Sequence, residues 1–542
     1  MERQANTRQY VDETIAAGSS FIQLLGGKTV DPAHTRLLKQ KRVRINYCCA
    51  NDASKVASLF RAGVEFPLVD RLGPMLSVAD DLGVARLKPV YRSRLKRKGL
   101  KTPRFPAVSR QPAGTRVRVT DLGAVADGKT DCLAAIRKAI AKVAAAGGGT
   151  VVFPRAKQPY LVSGTILIEA SDITLSGPDA TIKLADGAAN GTKEGRSTES
   201  QVHVLRVAGK PDKPVERIEI RGLTVDANIY RQDDYYNPRA IVIEHGHRVK
   251  VRDVTILRPF VGLDIGAGSS DCEVRGCVIE DWLEDGFDAS GDADKGSGAI
   301  TTNIRFIDCH ARGAPKSTGN AWEIEDGVRH VRVIDCSVTD VPRGNAFGIR
   351  NHWKAGPVDI SRDIQLRGVR IERVGGKYGI YSHSAPRDKF PRNRVADIGL
   401  YDVHCLAPVM LAGQLESVRI VGGRYGVIHL GWEYGSKSSR EPGGPLPLLE
   451  TRISIRNVQV RGLNINATAG RFTLSNVLID ASGEPAVPYA VRIVGGGDRV
   501  RLSNCTITGA GKVGVALQDE AAPRIVDSII WGNPLAVGLG SG

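Results

Sequence analysis

The sequence predicts an all-β chain, a right-handed parallel β-helix solenoid, on three observations. One phrase recurs along the chain, and residues 304–327 (IRFIDCHARGAPKSTGNAWEIEDG) hold a whole copy: a short strand, a Gly/Pro/Ser/Thr loop and a second strand. Most steps between copies are about 19 to 35 residues, the range of stacked structural repeats. Only Gly, Asn or Asp stands where the first strand bends, and these residues most easily adopt a left-handed backbone.

The bend and the position after it repeat in ten copies. The bend residues are Asp253, Gly276, Asp308, Asp335, Gly368, Asp402, Asn457, Asn476, Asn504 and Asp527. The next residues are Val254, Cys277, Cys309, Cys336, Val369, Val403, Val458, Val477, Cys505 and Ser528. This second set predicts an inward column of small side chains, in which cysteine acts as a small hydrophobic residue.

Composition limits the function classes. With 42% hydrophobic residues and 61 glycines, the chain can bury a long core and form many turns. It has no apolar run of 18 residues, so no transmembrane helix is expected. The start, MERQANTRQYVDET, lacks a signal sequence, which predicts a cytoplasmic protein or export by another route. The net charge of +17 indicates an anionic partner but does not by itself separate a polysaccharide from nucleic acid. The expected partner is an anionic polysaccharide rather than nucleic acid, and oligomerisation is left open.

Three regions follow from the pattern: a small α/β segment at 1–85, a basic linker at 86–117 and the β-helix at 118–542. In the first region, strands are expected at 42–49 and 63–70 and helices at 52–63 and 73–83. This segment resembles the last two β/α units of glycerophosphodiester phosphodiesterases. The matching residues are Asn51-Asp52, Gly63-Val64 and Asp70. The early strands that carry the metal and acid–base residues of that barrel are absent, so the resemblance implies no activity.

Residues 119–168 begin the β-helix with VTDLGAVADGKTDCLAAIRKAIAKVAAAGGGTVVFPRAKQPYLVSGTILI. A helix at 131–146 is expected, and it would cover the open end of the solenoid. The order Asp-x-Gly-Ala, Asp-Gly-x-x-Asp, helix, Gly-Gly-Gly-Thr-Val-x-Phe-Pro resembles the entry of the pectate lyase superfamily. That superfamily includes polygalacturonase-like hydrolases and phage tailspikes, and the resemblance implies a right-handed parallel β-helix. The catalytic motifs of polygalacturonases and alginate epimerases are not found, so no catalytic residue is transferred.

The second strand of each coil supplies the candidate site. Aligning 261–267, 285–291, 320–326, 345–351 and 377–383 places Trp322 in an inward column, as core rather than as a sugar platform. The next column outward reads Asp264, Asp288, Glu323, Gly348 and Tyr381, and two residues further it reads Gly266, Ser290, Glu325, Arg350 and His383. Stacked carboxylates repel one another unless a cation or ligand lies among them, which favours a functional site over a solvated surface.

Three functions fit this pattern. In the slightly favoured one, two of Asp288, Glu323 and Glu325 hydrolyse a glycosidic bond of an acidic polysaccharide. In the second, a polysaccharide lyase or uronate epimerase, Tyr381 or His383 moves the proton and the acids hold Ca²⁺. In the third, the β-helix binds glycans or serves as a tailspike-like structure without catalysis. The expected substrate-binding residues are Asp264, Arg350, Trp353 and Tyr235, with Tyr236 and Trp432 as further stacking candidates; no metal ligands and no certain cofactor are predicted.

Overall fold

The computed structural model describes residues 7–25, 30–48, 50, 52–67, 78–79, 82, 114–189, 201–232, 239–291, 300–351, 360–383, 394–432, 451–483 and 487–539. The chain divides into two compact units, Met1–Leu100 and Lys101–Gly542. Most of the predicted linker and of the predicted helix at 73–83 lies outside the described residues. None of the helices in the described ranges is long and apolar enough to span a membrane.

The first unit is a small α/β structure. Helices α1 (Arg8–Ala16), α2 (Pro32–Gln40) and α3 (Ala53–Arg61) alternate with the parallel strands Phe21–Leu25, Arg44–Cys48 and Phe66–Pro67. The strands at 42–49 and 63–70 and the helix at 52–63 are confirmed, although the second strand is short. The chain before residue 42 adds two helices and a strand that no sequence pattern indicated. Asn51 and Asp70 lie outside the described residues.

The second unit is the parallel β-helix. Its strands pair in parallel with the strands of neighbouring coils and form three ladders, which we call sheets A, B and C. Sheet A contains Thr115–Arg118, Gly149–Val152, Ile173–Leu184, Glu219–Asp226, Lys250–Arg252, Ser270–Arg275, Thr302–Ile307, Arg329–Ile334, Ile360–Arg367, Arg394–Cys405, Ser417–Leu430, Arg452–Arg456, Arg471–Ser475, Val500–Ser503 and Arg524–Val526.

Sheet B follows sheet A in each coil. Its own strands are Tyr160–Val162, Thr255–Leu257, Val278–Glu280, His310–Arg312, Ser337–Val341, Arg370–Val374, Leu478–Asp480, Thr506–Thr508 and Ile529–Trp531. Several longer strands of sheet A continue into it, and Gln459–Asn466 runs from sheet B into sheet C. Two short strands, Val215–Glu216 and Gly246–His247, pair with each other.

Sheet C carries the second strand of the recurring phrase. Its strands are Ile166–Ile168, Leu205–Ala208, Ile241–Glu244, Leu263–Gly266, Phe287–Ser290, Asn320–Glu325, Asn345–Arg350, Ile380–His383, Val409–Leu411, Tyr489–Val494, Val513–Gln518 and Leu535–Leu539. The predicted set of copies leaves out some coils. The strands Ile173–Leu184 and Glu219–Asp226 precede the first copy at 249–254. The strand Ser417–Leu430 runs through all three sheets between the copies at 398–405 and 453–460.

The bends between sheets A and B have the predicted conformation. All ten predicted bend residues have positive φ, for example 54° at Asp308 and 63° at Gly276. The side chain after the bend is buried in nine copies, and Ser528 near the end is partly exposed. The four cysteines of this column are free and buried. The bend and the inward column are therefore confirmed.

Helix α4 (Leu133–Ala145) corresponds to the helix predicted at 131–146. The Asp131 carboxylate accepts hydrogen bonds from the backbone N–H groups of Leu133 and Ser163, at 3.0 and 3.1 Å. Ile136, Ala139 and Val143 are completely buried against the β-helix core. The helix thus covers apolar residues at the first coils, where the first strand, Thr115–Arg118, begins just before the predicted start of the β-helix.

Candidate functional site

The predicted register of sheet C is correct in the described strands. Asp264 pairs with Asp288, Asp288 with Glu323, Glu323 with Gly348, and Gly348 with Tyr381. The same ladders pair Ser290 with Glu325, Glu325 with Arg350, and Arg350 with His383. The predicted residues Asp288, Glu323, Glu325, Arg350 and Tyr381 therefore lie on neighbouring coils of one sheet.

An aromatic stack holds these strands in place from the core side. The ring of Trp322 lies between those of Phe287 and Phe347, with centroid distances of 4.5 and 5.1 Å. Phe306 meets Trp322 edge-on at 6.4 Å. Trp322 is completely buried, so it is part of the core, as expected.

The column of acids is buried rather than solvated. The exposed fractions of Asp264, Asp288 and Glu323 are 5%, 7% and 1%. Burying a carboxylate is costly unless it is protonated, paired or hydrogen-bonded. The structure thus excludes a solvated surface ladder and leaves three acids whose charges need partners.

Glu323 lies at the centre of a hydrogen-bonded network. It forms an ion pair with Arg350 and accepts a hydrogen bond from the side-chain amide of Asn320. The same amide contacts the Tyr381 hydroxyl at 3.1 Å, although Tyr381 belongs to a strand two coils away. Gly348 makes this contact possible, since a Cβ there would lie 2.7 Å from Glu323 Oε2 and 2.8 Å from the Tyr381 hydroxyl. The missing side chain lets Tyr381 lie beside Glu323.

Asp288 has a different environment. Burial, followed by the charges of Asp264 and Asp285, raises the pKa of Asp288 well above its usual range. Its Oδ1 atom has no hydrogen-bond partner among the residues that the structure describes. Arg239 offsets part of the negative charge through its ion pair with Asp264. The Asp288 carboxyl therefore keeps its proton to a higher pH than an exposed aspartate does.

Glu325 and Arg350 complete the outer column. Burial and then the charge of Glu323 raise the pKa of Glu325 well above its usual range. Arg350 Nε lies 3.7 Å from Glu325 Oε2, and the Arg350 side chain is 28% exposed. Burial opposes the charge of Arg350, but the neighbouring acids raise its pKa overall. Arg350 thus contacts both glutamates and is itself partly exposed to solvent.

Some predicted site residues cannot be placed in full. Trp353, Tyr235 and Tyr236 lie outside the described residues, and only the backbone of His383 is described. Trp432 is 9% exposed and packs under Arg492, whose guanidinium carbon is 5.1 Å from the ring centroid. In the described ranges, no three His, Cys, Asp or Glu side chains form a group that could hold a metal ion. Calcium binding stays a prediction.

Three contributors were missed in the sequence: Asn320, Asp285 and Arg239. Asp285 accepts a hydrogen bond from the Asn320 backbone N–H at 2.9 Å, and burial raises its pKa. The aligned segments 285–291, 320–326 and 345–351 begin with Asp285, Asn320 and Asn345, so a polar column was visible there. Arg239 belongs to a different stretch, and no sequence signal tied it to Asp264.

Comparisons with known proteins agree with this fold. Residues 116–329 match the family model described as rhamnogalacturonase A/epimerase, pectate lyase-like. A pre-neck appendage protein of Bacillus phage B103 is 26% identical over 467 residues, which are 78% of this chain and 47% of the relative. The chain thus spans about half the length of that curated relative.

Solved structures extend the comparison. The pre-mature bacteriophage phi29 gene product 12 aligns with a TM-score of 0.58 at 17% identity, over 78% of this chain and 57% of that one. The mannuronan C-5 epimerase AlgE4 A-module of Azotobacter vinelandii aligns with a TM-score of 0.40 at 15% identity, over 79% and 98%. The family match over residues 116–329 and the parallel ladders together support a pectate lyase-like parallel β-helix fold.

Proposed function

We propose that this protein cleaves an acidic polysaccharide at sheet C, by hydrolysis of a glycosidic bond between Asp288 and Glu323. The observation that carries the proposal is the pairing of these two buried carboxyl groups on adjacent coils in opposite environments. Glycoside hydrolases use two such carboxyl groups, one as an acid and one as a base or nucleophile. Different environments set which group takes which role.

Asp288 is the proposed general acid. Its raised pKa favours the protonated form that a general acid needs, and its Oδ1 has no hydrogen-bond partner in the described ranges. Glu323 is the proposed nucleophile or base, because the positive charge of Arg350 favours its carboxylate form. Adjacent coils are about 4.8 Å apart, nearer to the carboxyl spacing of retaining enzymes than to that of inverting enzymes. We therefore expect retention of the anomeric configuration.

Arg350 is the proposed contact for the substrate's acidic group. It is the most accessible member of the network, and a guanidinium binds a carboxylate with two parallel hydrogen bonds. A uronate bound to Arg350 would compete with Glu323 for that guanidinium and free the Glu323 carboxylate. Asp264 would act through Arg239, with which it is paired. Tyr381 positions Asn320 and Glu323 rather than moving a proton itself.

A second function has support from the comparisons. The phage B103 relative is a pre-neck appendage protein, and its similarity covers 78% of this chain. As a structural part of such an appendage, the protein would use the sheet C network to stabilise the coils, with no turnover. The near-complete burial of Glu323 is compatible with that role.

A panel of acidic polysaccharides with three measurements separates these functions. New reducing ends without ultraviolet-absorbing products indicate hydrolysis, unsaturated products that absorb in the ultraviolet indicate a lyase, and binding at unchanged chain length indicates a structural or binding role. On a cleaved polymer, Glu323→Gln should lower turnover by about 10²-fold or more. The control Glu372→Gln, an exposed acid on sheet B, should retain full activity. Full activity in Glu323→Gln would contradict the proposed mechanism.

A further inference from the structure

The outward face of sheet A over the last coils carries a row of arginines. We call Arg419, Arg452, Arg456, Arg471, Arg501 and Arg524 the arginine face. All six are exposed. The residues that alternate with them, such as Ile453, Ile455 and Phe472, are buried in the core. Strand alternation therefore directs all six guanidinium groups to the same side of the sheet.

The register stacks these arginines along the coils. Arg452 pairs with Arg471, and Arg501 with Arg524. Arg419 belongs to the same column as Arg501, separated from it by Ser454 and Thr473. Like charges opposite one another destabilise a sheet. The face therefore has a cost in stability that a bound anion would offset.

No acid in the same strands balances this charge. Ser417–Leu430, Arg452–Arg456, Arg471–Ser475, Val500–Ser503 and Arg524–Val526 contain no Asp or Glu. None of the six arginines forms an ion pair among the residues that the structure describes. Earlier in sheet A the pattern differs: Arg252 pairs with Glu273 at 3.0 Å and Arg332 pairs with Asp363. Part of the net charge of +17 is thus concentrated, uncompensated, on one face.

We propose that the arginine face binds a linear acidic polysaccharide along the stacked coils. Coils about 4.8 Å apart place Arg452 beside Arg471 and Arg501 beside Arg524, a spacing that suits a polymer with a carboxylate on each sugar. Ser454, Thr473, Ser475 and Ser503 lie in the same columns and offer hydroxyl groups to neutral parts of the sugars. The proposal does not rest on hydrolysis, because this face belongs to sheet A and the acid column to sheet C.

The composition of the face favours a glycan over nucleic acid. Proteins that bind single strands without sequence preference combine positive charge with aromatic side chains on which the bases stack. The outward positions of these strands in sheet A hold Arg, Ser, Thr and Val, and none of these outward positions is aromatic. Rows of guanidinium and hydroxyl groups match the chemistry of a uronate polymer.

Binding of the intact protein to immobilised polygalacturonate and alginate tests the proposal, with double-stranded DNA and neutral dextran as comparisons. The triple variant Arg452→Gln/Arg456→Gln/Arg471→Gln should bind the acidic glycans at least about tenfold more weakly than the wild type. The salt dependence of its binding should also be smaller. The control Arg312→Gln/Arg343→Gln/Arg370→Gln removes the same charge from exposed positions outside the arginine face. It should bind like the wild type.

Three results would overturn the proposal. They are no binding of either acidic glycan at low salt, an equal loss of glycan binding in both triple variants, and tighter binding of DNA that is lost in the first triple variant. Matching thermal unfolding of the two triple variants shows that both are folded.

Discussion

Asp288 and Glu325 each hold their proton to a higher pH in the folded protein than in the unfolded chain. Burial is the first cause at both residues, and neighbouring acids add to it. Two raised carboxyl pKa values within one sheet lower stability at neutral pH, a cost that clusters at functional sites. Asp288, the residue proposed to donate a proton to the leaving group, thus also makes the stability of the fold depend on pH.

Replacing Asp288 with Asn should weaken this pH dependence. A carboxyl whose pKa is raised in the folded state contributes stability that is present below its unfolded pKa, about 3.9, and is lost as pH rises through its folded pKa. The melting temperature of the wild type should therefore fall from acidic to neutral pH. Asp288→Asn should show a smaller fall, and the remainder is due to the other buried acids with raised pKa values, such as Glu325 and Asp285. Calorimetry at several pH values measures the slope of melting temperature against pH for the wild type and for Asp288→Asn.

Asp340→Asn is the matched control for this comparison. The hydrogen-bonded ion pair with Arg373 lowers the pKa of Asp340. Removing the Asp340 carboxylate should therefore not reduce the fall in melting temperature from acidic to neutral pH. Identical slopes in Asp288→Asn and the wild type would show that Asp288 is ionised at neutral pH and would remove it as the general acid.

Strand register and bends could be predicted from the sequence because each depends on local rules. Only residues that tolerate positive φ fit at the bend, and a period of two fixes which side chains face the core. The burial of Glu323 could not be predicted, because it depends on Tyr381 reaching across Gly348 from two coils away. The coil at 417–430 escaped notice because Gly422 and Gly423 interrupt its pattern. Helices α1 and α2 have short amphipathic patterns without a strong turn signal.

Gly348→Ala tests the space that Tyr381 uses. The added Cβ would lie within 3 Å of both Glu323 Oε2 and the Tyr381 hydroxyl, so one of the two side chains has to move. We expect a loss of about 1–3 kcal/mol in the free energy of unfolding, as for other overpacked sites. Chemical denaturation measures it. Gly164→Ala is the control, since its nearest neighbour is a Leu133 methyl at 3.4 Å, and it should be nearly neutral. An unchanged stability in Gly348→Ala would contradict the packing described for Tyr381.

The whole β-helix presents different chemistry on different sheets. Sheet C holds buried acids beside Arg350, and sheet A ends in exposed arginines without acidic neighbours. Because each coil contacts mainly its neighbours, either face can be altered by mutation without rebuilding the other. The first unit has its own hydrophobic core, formed by residues such as Leu24, Ile45 and Leu59, separate from the core of the β-helix.

Deleting residues 1–85 should therefore leave a folded β-helix. Its core is complete without them, and helix α4, which remains, covers the first coils with side chains such as Ile136. The shortened chain should melt cooperatively near the temperature at which the β-helix melts in the full chain, measured by circular dichroism and calorimetry. Ile136→Asp in the shortened chain serves as the damaged control, because it buries a charge at a completely buried position and should lower the melting temperature strongly. A shortened chain without a cooperative transition, like this control, would show that residues 1–85 are an integral part of the β-helix.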